Sequence, residues 1–467
     1  MTSPFHKLSI NSDELHNIDK KIELGKQIRK DVPRATHSEY KVSSKRRDPV
    51  AIIKEQDTTR IQELVPIRHA RMLTSSFAFL RGTAKIMIED IGNQATSKIP
   101  VLANGDMHVS NFGIYASAER NIVFSINDFD ETHPGAWEWD MKRLTTSAVV
   151  CAQFLGGDKV QCEAAAREIV KNYREKMALY AQETNLNIWY KTIQMNDLLT
   201  TMSSEGKKEL EAITTKAQKK TQLGLFEKMS QMIDDRPQIK SSGPLLTREI
   251  NLESASKTQN LEEEILSSYL DSLSYDRRNL LQKYQVLDIA RKVVGVGSVG
   301  TRCWVILLRG VSDKDPLFLQ IKQAQESVLA PFANVSLPYT NQGHRVVVGQ
   351  RTVQGSPDIF LGWGDLQNKL QFYVRQLSDM KGGVELIPGK TKLSFFIEYC
   401  GMCGSALALA HAKSGDPALL SGYCGSSDEL DASFAKFAFA YAEQNERDYE
   451  AMQAAAKSGK IEVAKDF

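Results

Sequence analysis

The chain has 467 residues, 42% of them hydrophobic and 25% charged, with a formal net charge of +2. That is globular composition with enough material for two or three domains or one large bilobal unit, and the balanced charge points to neither a nucleic-acid partner nor an acidic membrane surface. The polar start MTSPFHKLSINSDELHNIDKK lacks an apolar signal core, and no apolar run approaches the roughly 18 residues of a membrane span, so a cytoplasmic protein with no span is expected, export by an unrecognised signal being left open.

Residues 1–47 are polar, include most of KVSSKRRDP, and are expected to form an arm or a loose extension. Residues 48–287 are expected to be a helical lobe that also carries a catalytic loop and a metal motif. Within it, Ile61 to Asp90 has helical spacing broken near Thr74 to Phe77, which predicts two helices. KIPVLANGD and RNIVFSIND are β-branched, apolar runs ending in Gly, Asn and Asp, and predict strands. Trp139 to Gly157 and Val160 to Thr184 predict helices, with Trp137 and Trp139 in the core. Residues 197–290 are charged and largely helical, broken by an ordered loop at DDRPQIKSSGP, Asp234 to Pro244. Residues 288–385 are β-rich: ARKVVGVGSVGTRCWVILLRG predicts strand, glycine turn, strand, and DPLFLQIKQAQ predicts a third strand. HRVVVGQRTV and DIFLGWG are expected to continue the sheet, and residues 386–467 to return to helix and complete the helical lobe. Six cysteines are scattered, which suggests no disulfide framework. The CxxC at Cys400 and Cys403 has no second ligand cluster, so two small buried residues at a helix start are expected rather than zinc.

Chemistry concentrates at two places. GVGSVG, Gly295 to Gly300, fits GxGxxG, a weak signal alone. A dinucleotide fold would open a helix here and place an acid about twenty residues later. Instead TRCWVILL is strand-like and the residue about twenty positions on is Lys322, set among PLFLQIKQA where an unpaired charge is costly. A glycine hairpin followed by a strand lysine is the arrangement that covers ATP phosphates in kinase-like enzymes. The second place is GDMHVSNFG with FSINDFDET. Phosphoryl transfer needs a carboxylate to orient the attacking group and oxygen ligands for Mg²⁺. Asp106 is the candidate base, Asn111 and Asp128 are candidate metal ligands, and Asp130 is a supporting position. His108 reads as a buried structural residue bonded to the loop. Arg68, His69, Arg71 and Arg81 precede the motif, and an arginine there either binds phosphate or an acidic substrate through its fork or forms a surface salt bridge.

NGDMHVSNFG with INDFDETHPGAWEWDMKRL resembles the aminoglycoside-phosphotransferase branch of the protein-kinase-like superfamily, in which HGDxHxxN is followed by IDF or IDW and a helical Asp. More narrowly, DPVAIIKEQDTTRIQELVPIRHARML, FAFLRG, FYVRQLSDMKG and YAEQNERDY, together with these motifs, resemble a bacterial family known as domain of unknown function 2252, from about Asp48 to Glu450. The resemblance implies Asp106 as base, Asn111 and Asp128 as Mg²⁺ ligands, Asp140 as the structural helix Asp, and Gly295, Gly297, Ser298, Gly300 and Lys322 as the ATP clamp. Asn104 stands where the superfamily has His. The glycine loop and lysine follow the catalytic loop instead of preceding it, which implies circular permutation, with CGMCGSALALAHA as the helix that normally comes first. Glu326 shares the strand parity of Lys322 if that strand extends so far; otherwise it faces solvent.

The expected fold is therefore α+β and bilobal, a circularly permuted kinase-like arrangement with a small antiparallel β lobe on a large helical one. The expected activity is ATP- and Mg²⁺-dependent transfer of the γ-phosphate to a hydroxyl acceptor. Adenylyl transfer on the same fold, a silent nucleotide-binding scaffold and a dinuclear-metal phosphoesterase are the alternatives. The last needs clustered ligands, whereas His133, His344 and His411 stand alone.

Overall fold

A computed structural model describes residues 17–248 and 266–465, apart from 294, 296, 334, 336, 367–369 and 378–379. Residues 1–16 of the polar arm and 249–265 of the charged stretch lie outside the described residues. The fold is mixed α+β, 53% helix and 16% strand, with small antiparallel sheets.

The helical part is organised around Trp137–Phe154, whose residues are buried through Ala152. Helices Lys159–Tyr180, Leu393–Ser414 and Glu429–Lys457 pack around it. Lys159–Tyr180 starts at a capping box in which Asp158 accepts from Gln161 N and the Gln161 side chain accepts from Asp158 N. Leu393–Ser414 corrects the expectation on apolar runs: its length and mean hydropathy of 1.5 would suffice to cross a membrane, although 78% of the apolar window is buried inside the protein. Cys400 and Cys403 are buried near the middle of this helix, not at its start.

Within the polar arm, Ile18–Asp31 and Arg34–Ser38 pack on the C-terminal helices, while Lys41–Lys45 are exposed. Helix Ile18–Asp31 lies on helix Pro417–Cys424 through facing glycines: a Cβ on Gly25 would meet Leu419 O at 2.3 Å, and one on Gly422 would meet Ile22 O at 2.1 Å. His37 follows, fully buried and stacked on Phe434 at 5.2 Å between ring centroids. From Ile61 onward a 3-10 turn, Gln62–Leu64, is followed by three short α-helices, not two, because Ser75 caps Ser76–Arg81 separately from Val65–Met72 and Gly82 then ends it before Ala84–Ile91.

Two small sheets hold the first motif. β1 (Pro100–Ala103) pairs with β4 (His133–Ala136), and β2 (Phe112–Ala116) pairs with β3 (Ile122–Ile126), which also pairs with the two-residue β5 (Ile193–Gln194). The expected loop after Asp234 is instead part of a hairpin, β6 (Ser230–Ile233) and β7 (Arg236–Ile239), whose two turn residues Asp234 and Asp235 both have positive φ, the conformation a twisted two-residue hairpin requires.

The main sheet has six antiparallel strands: β8 (Leu246–Arg248), β9 (Gln285–Lys292), β10 (Cys303–Arg309), β11 (Pro316–Gln323), β12 (Gly362–Leu366) and β13 (Leu370–Gln376), in the order β12-β13-β11-β10-β9-β8. HRVVVGQRTV does not join it. Asn341 caps a helix, Gln342–Val353, by accepting from His344 N, and Val346, Val347, Gln350 and Val353 recur at helical spacing on its buried side. The three valines fit either pattern; the cap and the packing of Gly349 against Thr132 decide for helix.

One sheet face packs Ile306, Leu308, Leu319 and Phe372 against Tyr269, Leu273 and Leu281. The opposite face, which carries Ala290, Val305, Leu307 and Phe318, is covered by Met229 and Ile239.

Burial, aided by the nearby Lys142 charge, pushes the His37 pKa down to about 3. His37 is therefore neutral in the folded chain while the unfolded chain takes a proton near the ordinary value, so stability holds above pH 6.5 and falls as pH drops from there toward 3. Denaturant unfolding between pH 7 and pH 5 should show His37 contributing a slope of about 1.4 kcal/mol per pH unit below 6.5. His37→Gln should flatten the profile by that amount; an unaltered slope would show that the ring is solvated.

Candidate functional site

The Gly105–Gly113 segment is shaped by one face of the central helix. Asp140, Arg143 and Ser147 recur at i, i+3 and i+7. The Asp140 carboxylate accepts from Asn104 N at 2.7 Å and Gly105 N at 2.8 Å, and His411 Nε2 lies 3.2 Å from it. Tyr173 Oη is 2.9 Å from His411 Nδ1, which orients the ring from the other side. Gly105 turns the chain with φ +78°, and a Cβ there would meet Glu131 at 2.9 Å, so only glycine fits. Ser147 Oγ accepts from Val109 N.

Arg143, buried, donates to Asp106 Oδ1 from Nε at 2.8 Å and from Nη2 at 2.5 Å. The other oxygen, Oδ2, lies 3.9 Å from His108 Nε2, and the Asp106 side chain is 25% exposed, so this carboxylate is held on one oxygen and presented with the other. His108 is buried, and its Nδ1 has no hydrogen-bond partner among the described residues. Burial, with Arg81 and Arg143 nearby, holds its pKa well below the usual value. Asn111 donates from Nδ2 to Asp106 O at 2.6 Å, which leaves its amide oxygen outside that bond.

Asp128 and Asp130 follow β3. Lys322, on β11 and 2% exposed, donates to Asp130 Oδ2 at 2.6 Å and lies 4.0 Å from Asp128 Oδ1, so residues 192 positions apart form the junction between the sheet and the helical part. Tyr373 on β13 donates to Asp130 Oδ1 at 2.7 Å, and Arg375 donates to Asn127 O and Gln320 Oε1. The two carboxylates are driven apart. Burial, then the charge of Asp130, raises Asp128, while burial of Asp130 is outweighed by Lys322 and the Tyr373 hydroxyl, which hold it below the usual range. Asp130 is the ion-pair partner, and Asp128, 36% exposed, is the freer oxygen donor.

The glycine turn between β9 and β10 leans onto the first helices. Gly295 and Gly300 have φ of +59° and +87°. Arg71 donates to Gly295 O at 2.6 Å, Arg60 to Val299 O, and Ile61 N to Gly300 O at 2.8 Å.

A cleft of about 510 Å³ lies between these parts. Asp106, His108, Asn111, Asp128, Asp130, Arg81, Gly295, Gly297 and Ser298 line it, as does Glu326. Gly300 is turned away against Arg60, and Lys322 meets the cleft only through the two aspartates. Glu326 does not support Lys322: β11 ends at Gln323, Glu326 is exposed, and Asp130 takes the lysine instead. Arg68 and His69 are buried on Asp57 at 2.7 and 2.8 Å, so neither is a surface pair nor a ligand of the cleft.

Among the described residues no group of three or more His, Cys, Asp or Glu could hold a metal ion. A Mg²⁺ ion needs fewer, since it keeps water and takes one or two carboxylates beside phosphate oxygens. The Asn111 amide oxygen and the Asp128 carboxylate fit that limited donor set.

Several participants escape sequence reasoning. Arg143 is one helical turn from Asp140 and carries a signal in hindsight, a lysine–arginine pair inside a buried helix. Tyr373 and Arg345 carry none. Arg345 donates to Thr132 O, Asp130 O and Gln325 O, tying the loop after β3 to the segment after β11. Glu131, also on the cleft wall, accepts from Val328 N, and burial pushes its pKa up to about 7.

No curated protein and no solved structure matches the chain. A family model described as an uncharacterized protein conserved in bacteria, domain of unknown function 2252, matches residues 60–455. The match covers the central helix, the loop it shapes, the glycine turn and the strand lysine, and the chain belongs to that family.

Proposed function

We propose that the protein is an ATP- and Mg²⁺-dependent phosphotransferase with a kinase-like fold in circularly permuted order. One observation carries the reading: Asp106, Asn111 and Asp128 share a cleft with a glycine turn that lies nearly two hundred residues later in the chain, and Lys322 joins the two halves through Asp130 at 2.6 Å. Turn chemistry explains each motif singly but not their meeting.

In this reading the free Asp106 oxygen orients an acceptor hydroxyl and takes its proton as the oxygen attacks the γ-phosphorus; the bond to the ADP oxygen breaks and ADP leaves. Arg143 fixes the direction of the carboxylate, and direction is what this reaction asks of it. Asn111 and Asp128 would hold Mg²⁺, which supplies charge neutralisation on the phosphates. Lys322 keeps the aspartate loop in register with the sheet. Transfer to a protein, sugar or other hydroxyl is equally compatible with this chemistry.

One observation favours adenylyl transfer as a second reading. The sheet face beyond Lys322 is covered by Met229 and Ile239, and open space lies instead toward Glu55–Arg60 and Gln323–Val328. A nucleotide entering with its base on that side would present its α-phosphate to the carboxylates.

ATP labelled on the α or the γ phosphate, incubated with Mg²⁺, cell extract and the protein, separates these readings. Label from γ on an acceptor supports the kinase, and label from α supports adenylyl transfer. Saturable binding without either leaves a scaffold. Asp106→Ala should lower transfer by about 10²–10⁴-fold while nucleotide binding stays within a few-fold; equal turnover would remove Asp106 from the chemistry. Asp128→Ala should abolish the Mg²⁺ dependence of nucleotide binding in a metal titration, and an unchanged titration would move the metal elsewhere. Lys322→Met leaves Asp128 and Asp130 facing each other without their cation, and should destabilise the fold by about 3–5 kcal/mol in denaturant unfolding.

A further inference from the structure

The guanidinium groups around the cleft are, with one exception, bonded to protein. Arg68 is held by Asp57, Arg71 by Gly295 O, Arg143 by Asp106 and Leu80 O, and Arg345 by three carbonyls. Arg81 differs. It ends helix Ser76–Arg81 on the cleft wall, and its Nε is buried with no hydrogen-bond partner among the described residues. No carboxylate is within ion-pair distance of it among those residues. Its backbone oxygen would lie 3.6 Å from a Cβ on Gly297, which places this residue beneath the glycine turn. Burial works against its charge, and the attraction of Asp106 across the cleft only partly offsets that.

An unpaired, partly desolvated guanidinium is expensive to keep, because the lost hydration is returned only when an anion or carbonyl takes its N–H groups. Among the described residues the arginine side chain supports no neighbouring backbone, so nothing there requires the cost at this position. A planar fork of donors matches the oxygens of a phosphate, and a phosphate between the glycine turn and Asp106 would complete it.

We propose that Arg81 is an anion-binding residue of the cleft, and that it holds a phosphate group beside Asp106. The phosphate comes either from the nucleotide, as its terminal group, or from an acceptor that is itself phosphorylated. The assignment rests on the reading of this cleft as the reacting site, but not on ATP being the donor.

The test uses the full chain and its Arg81→Gln and Arg81→Lys variants in isothermal titration, with three probes in Mg²⁺: ATP carrying a non-hydrolysable β,γ-imido bond, ADP, and inorganic phosphate. If the nucleotide supplies the group, Arg81→Gln weakens the imido analogue about tenfold and leaves ADP unchanged. If the acceptor supplies it, both nucleotides bind as before and phosphate binding in saturating ADP is lost. In either case Arg81→Lys recovers part of the affinity, a point charge without the fork. Wild-type chain that binds neither nucleotide, yet binds phosphate in an Arg81-dependent way, would retire the kinase reading and keep the anion site. Phosphate and the imido analogue binding equally to wild type and Arg81→Gln, or binding to neither, would overturn the assignment. Thermal unfolding supplies the structural control. Because the Arg81 side chain has no hydrogen-bond partner among the described residues, Arg81→Gln should melt at or above the wild-type temperature, and a fall of more than about 4 °C would show that it is a packing residue instead.

Discussion

The fold turns on a cation buried between two aspartates. Lys322 is 2% exposed, and an ammonium in such a place is tolerable only with an anion against it. The anion comes from a loop 192 residues earlier, so the ion pair obliges the six-stranded sheet to sit over the helical part in one register. Tyr373 and Arg375, from the neighbouring strand, complete the cage by bonding Asp130 and the Asn127 carbonyl. Because Asp130 is committed to the lysine, Asp128 is left as the more exposed carboxylate of the pair.

The central helix Trp137–Phe154 does the corresponding task for the other motif. Its buried polar face would be destabilising in an ordinary core helix, yet each group has a partner in the loop it faces: Asp140 takes two backbone N–H groups, Arg143 takes the Asp106 carboxylate, and Ser147 takes the Val109 N–H. A loop bent through a glycine of positive φ, with only the single 3-10 turn Val109–Asn111 as regular structure, is thereby given a fixed shape. Rigid support of this kind is what a positioned carboxylate requires.

Arg81 and the covered sheet face mark the two ends of the space this leaves. Met229 and Ile239 close the face that continues from Lys322, while the opening toward Glu55–Arg60 retains an arginine with no protein partner among the described residues. The cleft is thus asymmetric, apolar and filled at one end, polar and open at the other, and whatever enters it meets the unpaired cation and the free Asp106 oxygen together.

Much of the site is legible in the order of residues. Asp106, Asn111 and Asp128 stand in a short segment whose turn and strand signals are local, and the glycine turn and Lys322 likewise sit in a strand–turn–strand pattern that local propensity determines. The helix at Gln342–Val353 was not legible, since a Val-Val-Val run satisfies both periods and only the Asn341 cap and the packing on Thr132 choose between them. Nor was the partner of Lys322: strand parity pointed to Glu326, but the strand ends at Gln323, and the carboxylate arrives from across the molecule. The sequence by itself determined which chemical groups exist and the local turns that display them, because those depend on neighbours within a few residues. Tertiary structure alone decided which charges meet, that Arg143 would hold Asp106, and that Arg81 would have no hydrogen-bond partner among the described residues, because burial and ion pairing depend on groups tens to hundreds of residues apart.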